Sequence, residues 1–162
     1  GLSYVALESL IQTAGDCIDI VKLGWGTAYV SDGVKAKVAL CRAAGIHMCP
    51  GGTLLEICDR QGRVEDYVRW MHRLGVTHVE VSNGALGMDT VHKRALIRRL
   101  ADQGMTVLLS SHLMGEVEEL CDRVAIVHRG RTLATGLLSD LTNNGARSLE
   151  DLFLERTGGE TV

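Results

Sequence analysis

The sequence predicts an α/β fold: about five parallel strands flanked by helices, as a half-barrel or an open three-layer sheet with an edge hairpin. Three observations carry the prediction. Short apolar runs alternate with longer helical patterns along all 162 residues, the alternation of βαβ units. The 19 glycines, set against a single proline, fall mostly at element ends, where short connections need positive φ. The run 105–110 (MTVLLS) is almost wholly apolar, as a parallel strand covered on both faces tends to be.

A helix over 2–14 comes first, with Leu2, Val5, Leu7, Leu10 and Ile11 near helical spacing. A parallel α/β domain usually starts on a strand, so this opening suggests a segment cut from something longer. Residues 17–23 (CIDIVKL) read as a strand and 24–27 as its loop. Ser31 or Asp32 caps the next helix, which Gly45 ends. Residues 47–49 form a short strand stopped by Pro50-Gly51-Gly52. Helix resumes from Thr53, breaks near Gln61-Gly62 and runs on to Leu74, and 76–82 (VTHVEVS) is the next strand. Asp89 caps a helix through Gln103, the 105–110 strand follows, and 115–121 is a short helix. Residues 123–128 and 131–136 pair as a hairpin through Arg129-Gly130. Two helices, 137–142 and 148–157, flank an Asn143-Asn144-Gly145 loop.

Composition, 46% hydrophobic and 23% charged, is that of one soluble globular domain, and 4% aromatics implies an aliphatic core. A net charge of −3 with scattered basic residues gives no footprint for nucleic acid. No apolar run approaches the ~20 residues of a membrane span, and no signal-peptide pattern leads the chain, so neither membrane insertion nor export is expected. Five cysteines without a CxxC pair fit a reducing, cytoplasmic setting. His47 and Cys49 alternate on one strand, but structural zinc needs four ligands and no second pair stands at motif spacing, so no metal site is expected.

The chemistry-bearing candidates sit at strand ends. Lys22 and Glu80 lie near the C-terminal ends of their strands, where α/β folds place their sites. The ammonium of Lys22 can neutralise a phosphate or carboxylate, or pair with Asp19 or Glu80; Glu80 can serve as base or magnesium ligand. Gly24, Gly26, Gly51 and Gly52 let backbone approach an anion closely.

The segments 15–27 (GDCIDIVKLGWGT), 49–53 (CPGGT) and 78–84 (HVEVSNG) resemble the phosphosulfolactate synthase family, in order and through most of residues 1–84. The resemblance implies an α/β barrel that adds sulfite to phosphoenolpyruvate with magnesium, and implies catalytic roles for Lys22 and Glu80. Residues 93–136 (KRALIRRLADQGMTVLLSSHLMGEVEELCDRVAIVHRGRTLATG), continued by 137–141 and 148–158, resemble the C-terminal part of an ABC-transporter ATP-binding subunit. That resemblance makes His112 the remnant of a histidine that senses the γ-phosphate. The chain contains no GxxxxGK[ST], no LSGGQ-type signature and no apolar strand ending in Asp-Glu, so ATP hydrolysis lacks its parts.

The seam falls inside one βα unit. Glu80, Ser82, Asn83 and Gly84 belong to the barrel pattern yet echo the Glu-Pro-Thr-Asn-Gly run of ABC subunits, and a crossover there keeps a right-handed βαβ unit intact. The expectation is thus a single α/β domain, 1–84 barrel-derived and 85–162 ABC-derived: an engineered or recombined scaffold without native activity. Alternatives are residual binding of phosphate or phosphoenolpyruvate, synthase-like activity, and an ABC-type ATP-binding fragment. No resident cofactor is expected, with Mg²⁺ entering only if synthase-like activity survives. A small phosphorylated ligand is the expected partner, and open sheet edges invite a homodimer.

Overall fold

The computed structural model describes residues 2–82 and 85–159. The chain forms two compact units, Gly1–Leu108 and Leu109–Val162.

In the first unit, helix α1 (Tyr4–Ala14) starts at Ser3, whose hydroxyl accepts from the Ala6 amide. The expected strand at 17–23 begins late. Gly15–Cys17 closes a 3₁₀ turn through the Ile18 amide and Gly15 carbonyl, so β1 is Ile20–Leu23. A short helix α2 (Thr27–Val30) leads to α3 (Val34–Ala43). Neither Ser31 nor Asp32 caps α3: Gly33, at φ 73°, turns the chain into the helix and takes the N-cap position itself. Strand β2 (His47–Pro50) pairs parallel with β1 in the register Ile20↔His47 to Leu23↔Pro50.

Helices α4 (Gly52–Arg60) and α5 (Val64–Leu74) are separated at Gly62, φ 66°, as the glutamine-glycine break predicted. Val64, Tyr67, Val68 and Met71 recur at helical spacing and are all buried, so α5 presents one apolar stripe to the core. Strand β3 (His78–Val81) buries Val79 and Val81 and turns His78 and Glu80 to the half-exposed face. Helix α6 (Thr90–Asp102) is capped by Asp89, which accepts from the His92 amide at 2.9 Å. Strand β4 (Thr106–Leu109) neighbours β3.

The strands stand where the sequence put them, but not in one sheet. Among the described residues they form three two-stranded sheets, β1 with β2, β3 with β4, and a hairpin. Strands β2 and β3 lie side by side without a shared ladder. Four-residue strands have few groups to donate, and Pro50 contributes no N–H. The burial expected for 105–110 on both faces is not seen either: Met105 is buried, but no residue of β4 is.

The second unit contains α7 (Met114–Leu120), β5 (Arg123–His128), β6 (Arg131–Leu137), α8 (Leu138–Leu141) and α9 (Leu149–Thr157). The expected hairpin is present: β5 and β6 pair antiparallel across Arg129 (φ 47°) and Gly130 (φ 75°), the double positive φ of a type I′ turn. Ser148 and Asp151 form a capping box at α9. Ile126, Leu149, Leu152 and Phe153 make the core of this unit, with Val117, Leu133 and Leu141 packed against them.

Candidate functional site

Strand alternation brings Lys22 and Glu80 together at the C-terminal ends of β1 and β3. Lys22 Nζ donates to Glu80 Oε1 at 2.9 Å, and Glu80 Oε2 accepts from the Gly52 amide at 2.8 Å. One carboxylate therefore spans an ammonium from β1 and the first turn of α4. That turn has no side-chain cap, so its amides depend on an outside acceptor. The Lys22 side chain is 56% exposed and that of Glu80 15%, so the pair is reachable from solvent on the lysine side.

The glycines explain how the strand ends converge. Gly51 donates to the Leu23 carbonyl at 2.8 Å, and a Cβ on Gly51 would stand 3.1 Å from Gly24 Cα. At Gly52 a Cβ would meet the Ser82 amide nitrogen at 2.9 Å. Gly52 must be glycine because the Ser82 backbone passes too close, and at Gly51 a side chain would fit only if the Gly24 backbone gave way slightly. Gly24 and Gly26 face open space; their part is the turn that ends β1.

That turn holds a residue the sequence reading passed over. Trp25 sits at φ 54°, followed by Gly26 at 69°, with the Thr27 amide bonded to the Gly24 carbonyl at 3.0 Å. A left-handed backbone costs a non-glycine residue about 1–2 kcal/mol, and Trp25 is 85% exposed. The signal available in sequence was a tryptophan enclosed by two glycines.

Glu56 was missed as well. It is buried on α4, with Oε1 accepting from Ser82 Oγ at 2.6 Å and Oε2 from the amides of Ala85 and Leu86 at 3.0 and 2.8 Å. Its trace in sequence is one acidic residue on the apolar side of Leu54 and Leu55.

Beneath the site lies Cys49, fully buried, its thiol pushed up to about 12 by burial and by the Glu80 charge, with Lys22 opposing. Tyr67 shares this environment: burial first, then Cys49, Cys58 and Glu80, push its phenol up, and its hydroxyl has no hydrogen-bond partner among the described residues. His47 does not join Cys49. It stays exposed and stacks on His78, ring centroids 4.1 Å apart, and no group of three metal-ligating side chains occurs among the described residues. Among the described residues at these strand ends, the Glu80 carboxylate is already bonded to Lys22 and the Gly52 amide, and that of Glu56 to Ser82 and two amides, so neither points an unbonded pair of oxygens at a Mg²⁺. His112 lies exposed in the bend between β4 and α7, and no hydrogen bond or ion pair holds it among the described residues. Of the seam residues, Glu80 and Ser82 are in the site; Asn83 and Gly84 lie outside the described residues. No helix of the described residues is long and apolar enough to cross a membrane.

Comparison with known proteins gives two likenesses. A phosphosulfolactate synthase of Methanothermobacter thermautotrophicus is 36% identical over 110 residues, 67% of this chain and 43% of that protein. A phosphosulfolactate synthase of Methanocaldococcus jannaschii is also 36% identical over 110 residues, 67% of this chain and 44% of that one. The chain thus spans less than half the length of the curated synthases it matches. An uncharacterized ABC transporter ATP-binding protein of Synechocystis is 41% identical over 61 residues, 36% of this chain and 17% of that protein. The synthase match is too long to end at residue 84, and the shares of 67% and 36% together exceed the chain, so the two likenesses overlap. Synthase likeness in the N-terminal part and ABC likeness elsewhere is the pattern of a chimera. With a family match running over residues 1–143, the chain belongs to the (2R)-phospho-3-sulfolactate synthase (ComA) family.

Proposed function

We propose that the first unit is a binding module for a small phosphorylated acid, of the class of phosphoenolpyruvate or inorganic phosphate, within a chimeric scaffold that performs neither relative's reaction. One observation carries the reading: Lys22 Nζ and the Gly52 amide converge on a single oxyanion, that of Glu80, at 2.9 and 2.8 Å. Glu80 stands where an incoming ligand's oxygens would go. An anion that displaces it gains an ammonium and the uncapped first turn of α4, a helix end that favours negative charge. Lys22 is then the charge anchor, Gly51 and Gly52 the close backbone, and Glu80 the group that holds the donors in place when the site is empty. Lys22 and Glu80, to which the synthase resemblance gives catalytic roles, act in binding on this reading.

A thermal-shift comparison with phosphate, phosphoenolpyruvate and ATP·Mg²⁺ tests the proposal. Phosphoenolpyruvate is expected to raise the melting temperature of the wild type and not that of Lys22→Ala. Glu80→Gln, which removes the internal competitor's charge, is expected to keep or enlarge the shift. An equal shift in wild type and Lys22→Ala, or none at all, tells against the reading. A shift with ATP·Mg²⁺ that disappears in His112→Ala would instead favour an ABC-type nucleotide remnant.

A further inference from the structure

We propose that Trp25 forms the aromatic wall that closes over the organic part of the ligand, so that the site distinguishes a phosphorylated planar acid from bare phosphate. The inference rests on the binding reading above. Trp25 and Gly26 occupy the two central positions of a turn in which both have positive φ, 54° and 69°, a conformation suited to Asn-Gly and costly for a tryptophan. The indole itself contributes no burial against that cost. The indole is 85% exposed, and the ring contact nearby joins Tyr29 to Trp70 instead.

The turn itself is fixed firmly on the site. The Thr27 amide and the Thr27 hydroxyl both donate to the Gly24 carbonyl, at 3.0 and 2.7 Å. Gly24 Cα in turn lies where a Cβ on Gly51 would come within 3.1 Å of it. The indole is therefore held on a rigid base one residue from the backbone that meets the anion-binding glycines, while its own ring remains free.

Beyond half-buried Leu23, the strand ends offer a ligand little apolar surface. Lys22 and the Gly52 amide supply charge and a donor, whereas Cys49, Pro50 and Val81 are buried and expose nothing to a ligand's carbon skeleton. Small-molecule sites are lined mostly by apolar and aromatic groups around a few placed polar ones. Trp25 supplies that missing surface, with only two side-chain torsions to immobilise. Ligand contact is what offsets the strain of its backbone.

The test compares phosphoenolpyruvate with inorganic phosphate, using fluorescence titration and melting temperature. In a Trp70→Phe background Trp25 is the single tryptophan; its emission should shift to the blue with phosphoenolpyruvate and stay unchanged with phosphate. Trp25→Asn creates the favoured turn sequence, so it should raise the melting temperature by about 3 °C. The same change should weaken phosphoenolpyruvate about tenfold, the scale of one lost aromatic contact, and leave phosphate affinity within about twofold. Trp25→Phe should restore phosphoenolpyruvate affinity. If the wild type binds phosphoenolpyruvate in a Lys22-dependent manner but Trp25→Asn binds it equally well, the wall is refuted and the binding reading survives. If both ligands weaken together, Trp25 shapes the turn rather than the ligand, and the proposal fails. If the wild type binds neither ligand, both readings fall.

Discussion

At Gly52 the space for a methyl group is already taken by Ser82, whose Cβ would lie 2.7 Å and amide nitrogen 2.9 Å from an added Cβ. Backbone cannot yield as a flexible side chain does, so Gly52→Ala is expected to cost about 2–3 kcal/mol in urea denaturation. Gly24→Ala, whose Cβ would meet nothing within 4 Å, should change stability by less than about 0.5 kcal/mol. Cys49 makes a second prediction at this scale. Its raised value, about 12, keeps the thiol neutral at ordinary pH, and a thiol needs its thiolate form to react. Exposed Cys17 should therefore label rapidly with a disulfide reagent while Cys49 stays protected until unfolding. Because the folded-state value lies above the unfolded one, the stability Cys49 contributes is complete below the ordinary thiol range and is lost as pH rises towards about 12. Sequence showed Lys22 and Glu80 readily, since strand alternation and a glycine-ended strand mark a rim residue. It could not show Glu56 or Trp25. The value of Glu56 lies in amides 29 and 30 positions away, and that of Trp25 in a torsion that composition does not reveal.

Among the elements, periodicity located every strand and nearly every helix, because apolar spacing reports which residues face inward. Pairing escaped it. Whether β2 and β3 exchange hydrogen bonds depends on strand offset and on a proline's missing donor, neither of which alters the hydrophobic pattern. What joins these two strands near their N-terminal ends is a pair of rings. His47 lies tilted by 31° on His78, and the Thr77 hydroxyl is 3.0 Å from His78 Nδ1. Burial, and then the proximity of His47, depress the His78 value. With the folded-state value below the unfolded one, the stability tied to neutral His78 is complete above the ordinary histidine range and is lost as pH falls through it. The urea midpoint should drop between about pH 7 and pH 5. Replacing His78→Gln should flatten that drop, and His47→Gln should lessen it by the smaller share; an identical pH profile in the His78 variant would place the acid sensitivity elsewhere.

For the molecule as a whole, open edges are the dominant feature. Among the described residues strand β1 has one ladder partner, and its Ile20 and Lys22 are exposed. Unpaired strand edges recruit other strands unless charge or helices cover them. Weak self-association through β1 is the expected outcome, with Lys22 limiting it; sedimentation equilibrium should show the average mass rising with concentration, more steeply for Lys22→Ala. A constant monomer mass in both would show the edge to be protected. Glu56 clasps the chain where the two likenesses meet. It grips the stretch after Ser82 partly through the main-chain nitrogens of Ala85 and Leu86, groups that nearly every amino acid carries. An acceptor of that kind places little demand on what is written at those two positions. Foreign sequence can be grafted on at that point and find its mooring already built.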